Sequence, residues 1–348
     1  MAATIYKPFQ YGVRIDAETS WVTGATEAGA DPLGKVTNFS SSWTDGVVRS
    51  LGIGEGRNET AHTYGNVDIT GTIDWEVISE IDAGDGGSIN FMKFAIGKNQ
   101  GSGSTAAPYE LVEGDAIDYS TGFSFGMYVQ AEAGTTDDVD FYSGCVASSL
   151  TLTGGVTESL KASMDFVAKT VTCAAAITTP YATPSGNPWM MQQGSLKWGA
   201  TPTAVGYIQN FSITLNNNPV VYYSVGSRFI EQPEWGNRTY DFTITAKMTS
   251  TVATSLRDAL FGQANSFIAG TDPSIRTGSL ELNIEFTEGA GASGDKQLEI
   301  ELDDASITSM SKAIPVGGGI VEVTFTGIAQ QALLDSTDGV FIRYLTIT

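Results

Sequence analysis

The sequence predicts an all-β chain with minor helix, on three observations. Apolar and polar residues alternate with period two in many short runs. The composition is rich in turn-forming residues and poor in charge, with 40 Gly among 348 residues and 16% charged side chains. Helical periodicity is confined to two short stretches, 89–96 and 252–261. An apolar content of 41% supports a sizeable core and excludes a disordered chain, and the low charge excludes a long solvated coiled coil.

Taken in chain order, residues 66–78 set Val67, Ile69, Ile73, Trp75 and Val77 on one face and Asp68, Thr70, Thr72, Asp74 and Glu76 on the other. That is a strand with one buried face. Further strands carry Phe123, Phe125, Met127 and Val129, then Leu160, Ala162, Met164 and Phe166. Residues 174–191 have no strand pattern and contain Pro180, Pro184 and Pro188. Proline fixes φ and removes a ladder donor, so this stretch reads as an extended linker. Alternation resumes with Tyr240, Phe242, Ile244, Ala246 and Met248. It continues with Leu280, Leu282, Ile284 and Phe286, with Leu298, Ile300 and Leu302, and with Val321, Val323 and Phe325.

The linker falls at the midpoint, and the two sides repeat each other. GKVTNFS at 34–40 matches GYIQNFS at 206–212, and Tyr64-Gly65-Asn66 matches Trp235-Gly236-Asn237. KFAIG at 93–97 resembles DALFG at 258–262, and Gly24-Ala25-Thr26 is echoed by Gly199-Ala200-Thr201. Each half ends in a strand, a Gly-containing turn (Gly317–Gly319 in the second) and a long alternating strand. Shared order at a near-constant offset predicts a duplicated domain. The division is an N-terminal arm (1–33), a first β-domain (34–173), the linker (174–191) and a second β-domain (192–348), the domains being β-sandwiches or small barrels.

Catalytic chemistry finds little support. His62 is the only histidine, and GxSxG, HExxH, P-loop and CxxC patterns are absent. Asp82 and Asp85, and Asp137, Asp138 and Asp140, lack the spacing of a calcium loop and read as solvated loops. Glu299, Glu301, Asp303 and Asp304 read as the wet face of a strand. Cys145 and Cys173 read as free, buried thiols, with a disulfide as the alternative. The Asn-x-Ser/Thr sequons at Asn38, Asn58, Asn210 and Asn237 follow no visible signal peptide and are not read as glycosylated. No run approaches the roughly 20 apolar residues of a membrane-spanning helix. No enzyme, cofactor or metal is expected. With 39 acidic against 18 basic residues the net charge is −21, which argues against wrapping nucleic acid.

Two long connections follow the Asn-Phe-Ser strands, at 43–63 and 216–234. Each combines apolar residues with arginine: Trp43, Val47, Val48, Leu51, Arg49 and Arg57 in the first, Val220, Val221, Tyr222, Tyr223 and Arg228 in the second. Loops this long are uncommon in compact domains unless they contact something, so these residues are the candidate contact sites. The carboxyl end, 339–348, is apolar on both faces, with Phe341, Leu345 and Ile347 on one and Val340 and Ile342 on the other. It is expected to join a sheet and to lie against a neighbouring domain or subunit.

The opening YGVRIDAETSWVTGAT at 11–26, and WTDGVVRSLGIGEGR followed by Tyr64-Gly65-Asn66-Val67-Asp68, resemble the tail tube (major tail) proteins of long-tailed phages and archaeal viruses. The resemblance implies a β-sandwich or small barrel with one flanking helix and a long loop reaching the next ring. Tubes of that family are stacked six-domain rings, so two domains per chain imply homotrimeric, pseudo-hexameric rings. It implies a virion tail protein assembled in the host cytoplasm. Tail terminator, baseplate and tape-measure proteins would be its partners, and viral DNA would pass through without specific binding. The acidity suits such a lumen and equally a halophilic surface. The alternative function is a tandem β-sandwich adhesion module of a fibre, pilus or baseplate that grips a carbohydrate or receptor.

Overall fold

The computed structural model describes residues 12–26, 30–50, 61–79, 87–101, 108–113, 124–130, 139–173, 186–199, 203–205, 208–234, 236–248, 281–289, 293–314, 321–329 and 340–346. The first half forms β1 (Gly12–Ala17), β2 (Asp31–Pro32), β3 (Lys35–Ser50) and β4 (Ala61–Glu76). A 3-10 turn (Asn90–Met92) then enters helix α1 (Lys93–Ile96), followed by β5 (Gly97–Gln100), β6 (Tyr109–Glu113), β7 (Phe125–Gln130), β8 (Val139–Gly155), β9 (Lys161–Ala168) and β10 (Thr170–Cys173). The second half forms β11 (Gly194–Gly199), β12 (Thr203–Val205), β13 (Ile208–Asn216), β14 (Thr239–Lys247) and β15 (Glu281–Thr287). It ends with β16 (Lys296–Leu302), β17 (Ser306–Ala313), β18 (Glu322–Ala329) and β19 (Val340–Thr346). The fold is all-β with minor helix. The helix expected at 89–96 is present; the stretch 252–261 lies outside the described residues.

One arrangement occurs twice. The strands run β3-β4-β9-β8 in the first half and β13-β14-β18-β17 in the second. Phe39 faces Ile73 as Phe211 faces Ile244, and Ile73 faces Met164 as Ile244 faces Phe325. Irregularities coincide as well. A bulge between Val36 and Asn38 reappears between Ile208 and Asn210, an offset of 172 (208 − 36). Another, between Ala147 and Ser149, reappears between Ile307 and Ser309, an offset of 160 (307 − 147). At that same offset Gly144 and Asp304 (304 − 144 = 160) both hold positive φ, +62° and +48°. Gly adopts this region freely and Asp tolerates it. Here β8 bends from one layer into the other, and in the second half the chain breaks into β16 and β17.

The other layer repeats too: β2-β1-β7-β8 with β10 beside β8, against β12-β11-β15-β16 with β19 beside β16. Bulges and strands that change layer are how sandwiches turn corners. β8 pairs with β13 and β19 pairs with β6, so each of the two sheets holds strands from both halves. One main core spans both halves, and in it Trp75, Phe91, Phe125 and Phe166 meet one another and Phe94 of α1 edge-on or tilted; Ala30, Tyr128 and Val139 form a smaller cluster.

Two segments depart from the sequence reading. Residues 12–26 and 30–33 do not stand apart as an arm: β1 sits between β7 and β2, with Val13 and Ile15 fully buried. Buried Glu18 ties this segment to the β8 bend, accepting from Val22 N–H (2.9 Å), the Ser124 hydroxyl (2.6 Å) and Gly144 N–H (2.8 Å). Residues 1–11 lie outside the described residues. Of the expected linker, 174–185 lies outside as well, and its remainder, 186–191, is docked. Trp189 is buried, donating its backbone N–H to the Val77 carbonyl (3.0 Å) and accepting from Leu160 N–H (2.7 Å). Cys145 is a free, buried thiol, and burial, with the Glu18 carboxylate adding, pushes its pKa well up. Cys173 ends β10, and its side chain lies outside the described residues.

Candidate assembly interface

The first long connection is not a loop throughout. β4 loses its partner β9 at Ile69, which faces Ala168, yet β3 and β4 stay paired to Ser50 and Ala61. At about 3.4 Å per residue this two-stranded arm projects roughly 25 Å. Trp43 (60% exposed) and Tyr64 (68%) lie along it. Val47, Val48 and Arg49 pair through their backbones with Tyr64, Thr63 and His62. Their side chains, and Leu51 and Arg57 entirely, fall outside the described residues.

The second connection is braced within itself by bridges between Val220 and Glu234 and between Tyr223 and Ile230. Asn217, fully buried, anchors its base. The Asn217 amide donates to the carbonyls of Ala95 (2.9 Å) and Ala147 (3.2 Å). Arg238 donates to the Asn217 side chain (2.8 Å) and to the Ile96 and Ala95 carbonyls at the end of α1 (2.8 and 3.2 Å), where a cation is favoured. Val220, Val221, Tyr222, Val225 and Phe229 are exposed.

Tyr223 and Arg228 instead meet the arm of their own chain. Val67 N–H donates to the Arg228 carbonyl (2.8 Å), Arg228 Nε to the Gly65 carbonyl (2.9 Å), and the guanidinium pairs with Asp45. The guanidinium carbon also sits 4.9 Å from the centre of the Tyr64 ring. The Tyr223 hydroxyl donates to the Asp68 carboxylate. Burial first, and then the Asp68 bond and charge, push the Tyr223 pKa up to about 12. Asn217 did not stand out in the sequence beyond the triplet Asn216-Asn217-Asn218, and Tyr64 stood out as part of a repeated motif and not as a contact residue.

At the carboxyl end, Phe341 is 1% exposed and packs on Tyr240, so it belongs to the chain's own core rather than to a subunit surface. Phe341 and Ile342, on opposite faces of β19, are both buried within the one chain, and the strand's two edges are paired with β16 and β6. Leu345 is half-buried in β19, and Ile347 lies outside the described residues.

Among the described residues β3 pairs only with β4 and β17 only with β18, so both are edge strands, as are β2, β10, β12 and β5. The polar face between β3 and β17 is a hydrogen-bonded layer of hydroxyls and carboxylates. Asp74 accepts from Asn38 (3.0 Å) and Ser163, and Asp165 from Thr72 (2.6 Å) and Ser149 (2.8 Å). Thr151 meets Thr214 (3.1 Å) and Thr245 meets Thr324 (3.2 Å). On the other layer Arg343 binds Glu110 (2.9 Å) and Glu299 (3.3 Å) and lies 3.8 Å from Glu301. Burial, reinforced by Asp303, Glu299 and Glu281 against Arg343, pushes Glu301 up to about 7. Among the described residues no three His, Cys, Asp or Glu side chains cluster as metal ligands. Asp82, Asp85, Asp137 and Asp138 lie outside them.

The surface so described presents exposed aromatic and aliphatic side chains, open strand edges and a pre-paired polar face. A comparison with curated protein sequences finds no match. The sequence model of the phage tail tube protein family matches residues 12–329, and the chain therefore belongs to that family of structural tail proteins.

Proposed function

We propose that the chain is a self-assembling wall unit of a viral tail. In this reading it carries two tandem copies of one domain, and three chains close into a ring of six like units. Rings stack into the tube, and viral DNA passes along the bore. The observation that carries this is the joint already inside the chain. β8 meets β13 head to tail, while β17 and β3, which hold the corresponding places, are open edges. Heterologous contacts of this kind propagate into rings or filaments, and closure removes the exposed edges.

Carrying the internal register across the joint puts β17 of one copy beside β3 of the next. Met310 then faces Trp43, Ser311 faces Ser42 and Ile314 faces Phe39. Their internal counterparts are Leu150 with Leu215, Thr151 with Thr214 and Gly154 with Phe211, and Leu150, Leu215 and Phe211 are buried. Trp43, and Ile314 at 67% exposure, would thereby leave water. Burying each stabilises by about 1.5–3 kcal/mol. The arm and the exposed residues of 220–229 would contact the neighbouring ring. The hydroxyl and carboxylate face would line the bore, where few cations face the phosphates; Lys161 on it is bound to Glu158 (2.9 Å). Terminator, baseplate and tape-measure proteins would complete the tail, assembled in the host cytoplasm.

Electron microscopy of the purified protein tests this directly: hollow tubes or stacked rings are expected. Oxidising the pair Ser42→Cys and Ser311→Cys should then link chains into covalent trimers and nothing larger, since directly opposed strand residues sit at disulfide distance. Persistent monomers with ligand-dependent melting would instead favour the adhesion reading.

A further inference from the structure

The two halves differ most where the arm leaves the sheet. Beyond Ile69, β4 has no β9 beside it, and its outer edge is taken by residues of the second half. Val67 N–H to the Arg228 carbonyl and Arg228 Nε to the Gly65 carbonyl supply the backbone partners that a neighbouring strand would otherwise provide. One side chain, Arg228, spans both strands of the arm, reaching Asp45 on β3 and the Tyr64 ring on β4. Tyr223 adds a second point at Asp68. The segment is stiff enough to act as a support. It is cross-bridged at Val220–Glu234 and Tyr223–Ile230, Ile230 is buried, and Asn217 and Arg238 fix its base to α1 and β8.

We propose that residues 217–234, with Arg238 at their base, form a clasp that sets the direction of the arm within one chain, with Arg228 and Tyr223 as its positioning residues. The surface that the arm presents is then composed from both halves before any partner arrives. Arginine suits the task, because its planar fork can satisfy a carboxylate and a carbonyl while stacking on a ring. An ion pair as exposed as Arg228 with Asp45 contributes little to global stability. Its effect is therefore local to the arm. The use of the arm in assembly rests on the tail tube reading above; the clasp itself does not.

Hydrogen exchange on the full, unassembled chain tests the clasp independently of tube growth. Arg228→Ala combined with Tyr223→Phe should speed exchange of the amides at 64–68 by tenfold or more. Exchange in β13 and β14 and the thermal midpoint should stay where they are. Arg228→Lys, which keeps charge without the fork, should fall between. Unchanged exchange at 64–68 in the double variant would overturn the clasp. Arm amides that loosen while tubes grow at the wild-type rate and length would overturn the positioning role. A wild-type protein that forms no tubes would instead count against the tail reading and leave the exchange result standing.

Discussion

Gly71 and Gly327 show how closely the two halves correspond at the level of single side chains. Gly71 faces Phe166 on the next strand, and the equivalent pair in the second half is Phe242 facing Gly327, with the two residue types exchanged. Each ring fills the space above the glycine opposite, so a Cβ on either Gly would collide with it. Gly71→Ala and Gly327→Ala should therefore each destabilise by about 1–3 kcal/mol in denaturant unfolding. Phe166→Gly leaves a cavity costing about 3–5 kcal/mol. Adding Gly71→Phe to it, which copies the second-half arrangement, should recover most of that loss, and an additive double variant would contradict the equivalence. Glu301 supplies a pH test. Its folded pKa of about 7 lies above its unfolded value, so the folded state holds an extra proton between about pH 4.5 and 7. Its contribution to stability is full below that window and lost as pH rises through it. Glu301→Gln should raise the melting temperature at pH 8 by about 1–3 °C and flatten the pH profile from 5 to 8.

Among the elements, β19 bears the clearest consequence, since it is an internal strand between β16 and β6 and joins the halves. Deleting 340–348 should yield an insoluble or molten chain, read by loss of near-ultraviolet circular dichroism; a folded chain that merely failed to assemble would show that the pairing is dispensable. Its two-sided apolar pattern was visible in the sequence, but its neighbour β6 was not, because alternation reports which face is buried and not which strand lies alongside. The same limit hid the pairing of β8 with β13. Strands with one wet face, such as β4, β9, β14 and β18, were legible from Val67, Ala162, Phe242 and Val323 onward. The arm was not. Trp43 and Tyr64 stand in strands with no core beneath either, so burial imposes no alternation there and the segment reads as loop. The clasp was legible only as an apolar stretch with an arginine; the partners of Arg228, Asp45 and Gly65, lie more than 160 residues away.

For the molecule as a whole, the net charge of −21 acquires meaning only with the sheet order. Asp74, Asp165 and Asp241 share the polar face that the proposed ring turns inward. Converting all three to Lys should give tubes that retain duplex DNA at low salt and release it steeply as salt rises, since each phosphate neutralised adds about 0.9 to the salt slope. Wild-type tubes should retain none under the same conditions, as measured by co-sedimentation.

The β8–β13 joint has a kinetic corollary. In the proposed ring, three of the six seams are made when each chain folds, so only three encounters in solution remain. A nucleus of three bodies forms at a rate that grows with a lower power of concentration than a nucleus of six, and the tether holds the first pair at high effective concentration. The lag before tube growth should accordingly lengthen by a modest factor on dilution. A chain severed between its halves and mixed at equal mass would face a far steeper dilution penalty, and its rings would become scarce at concentrations where the intact chain still polymerises.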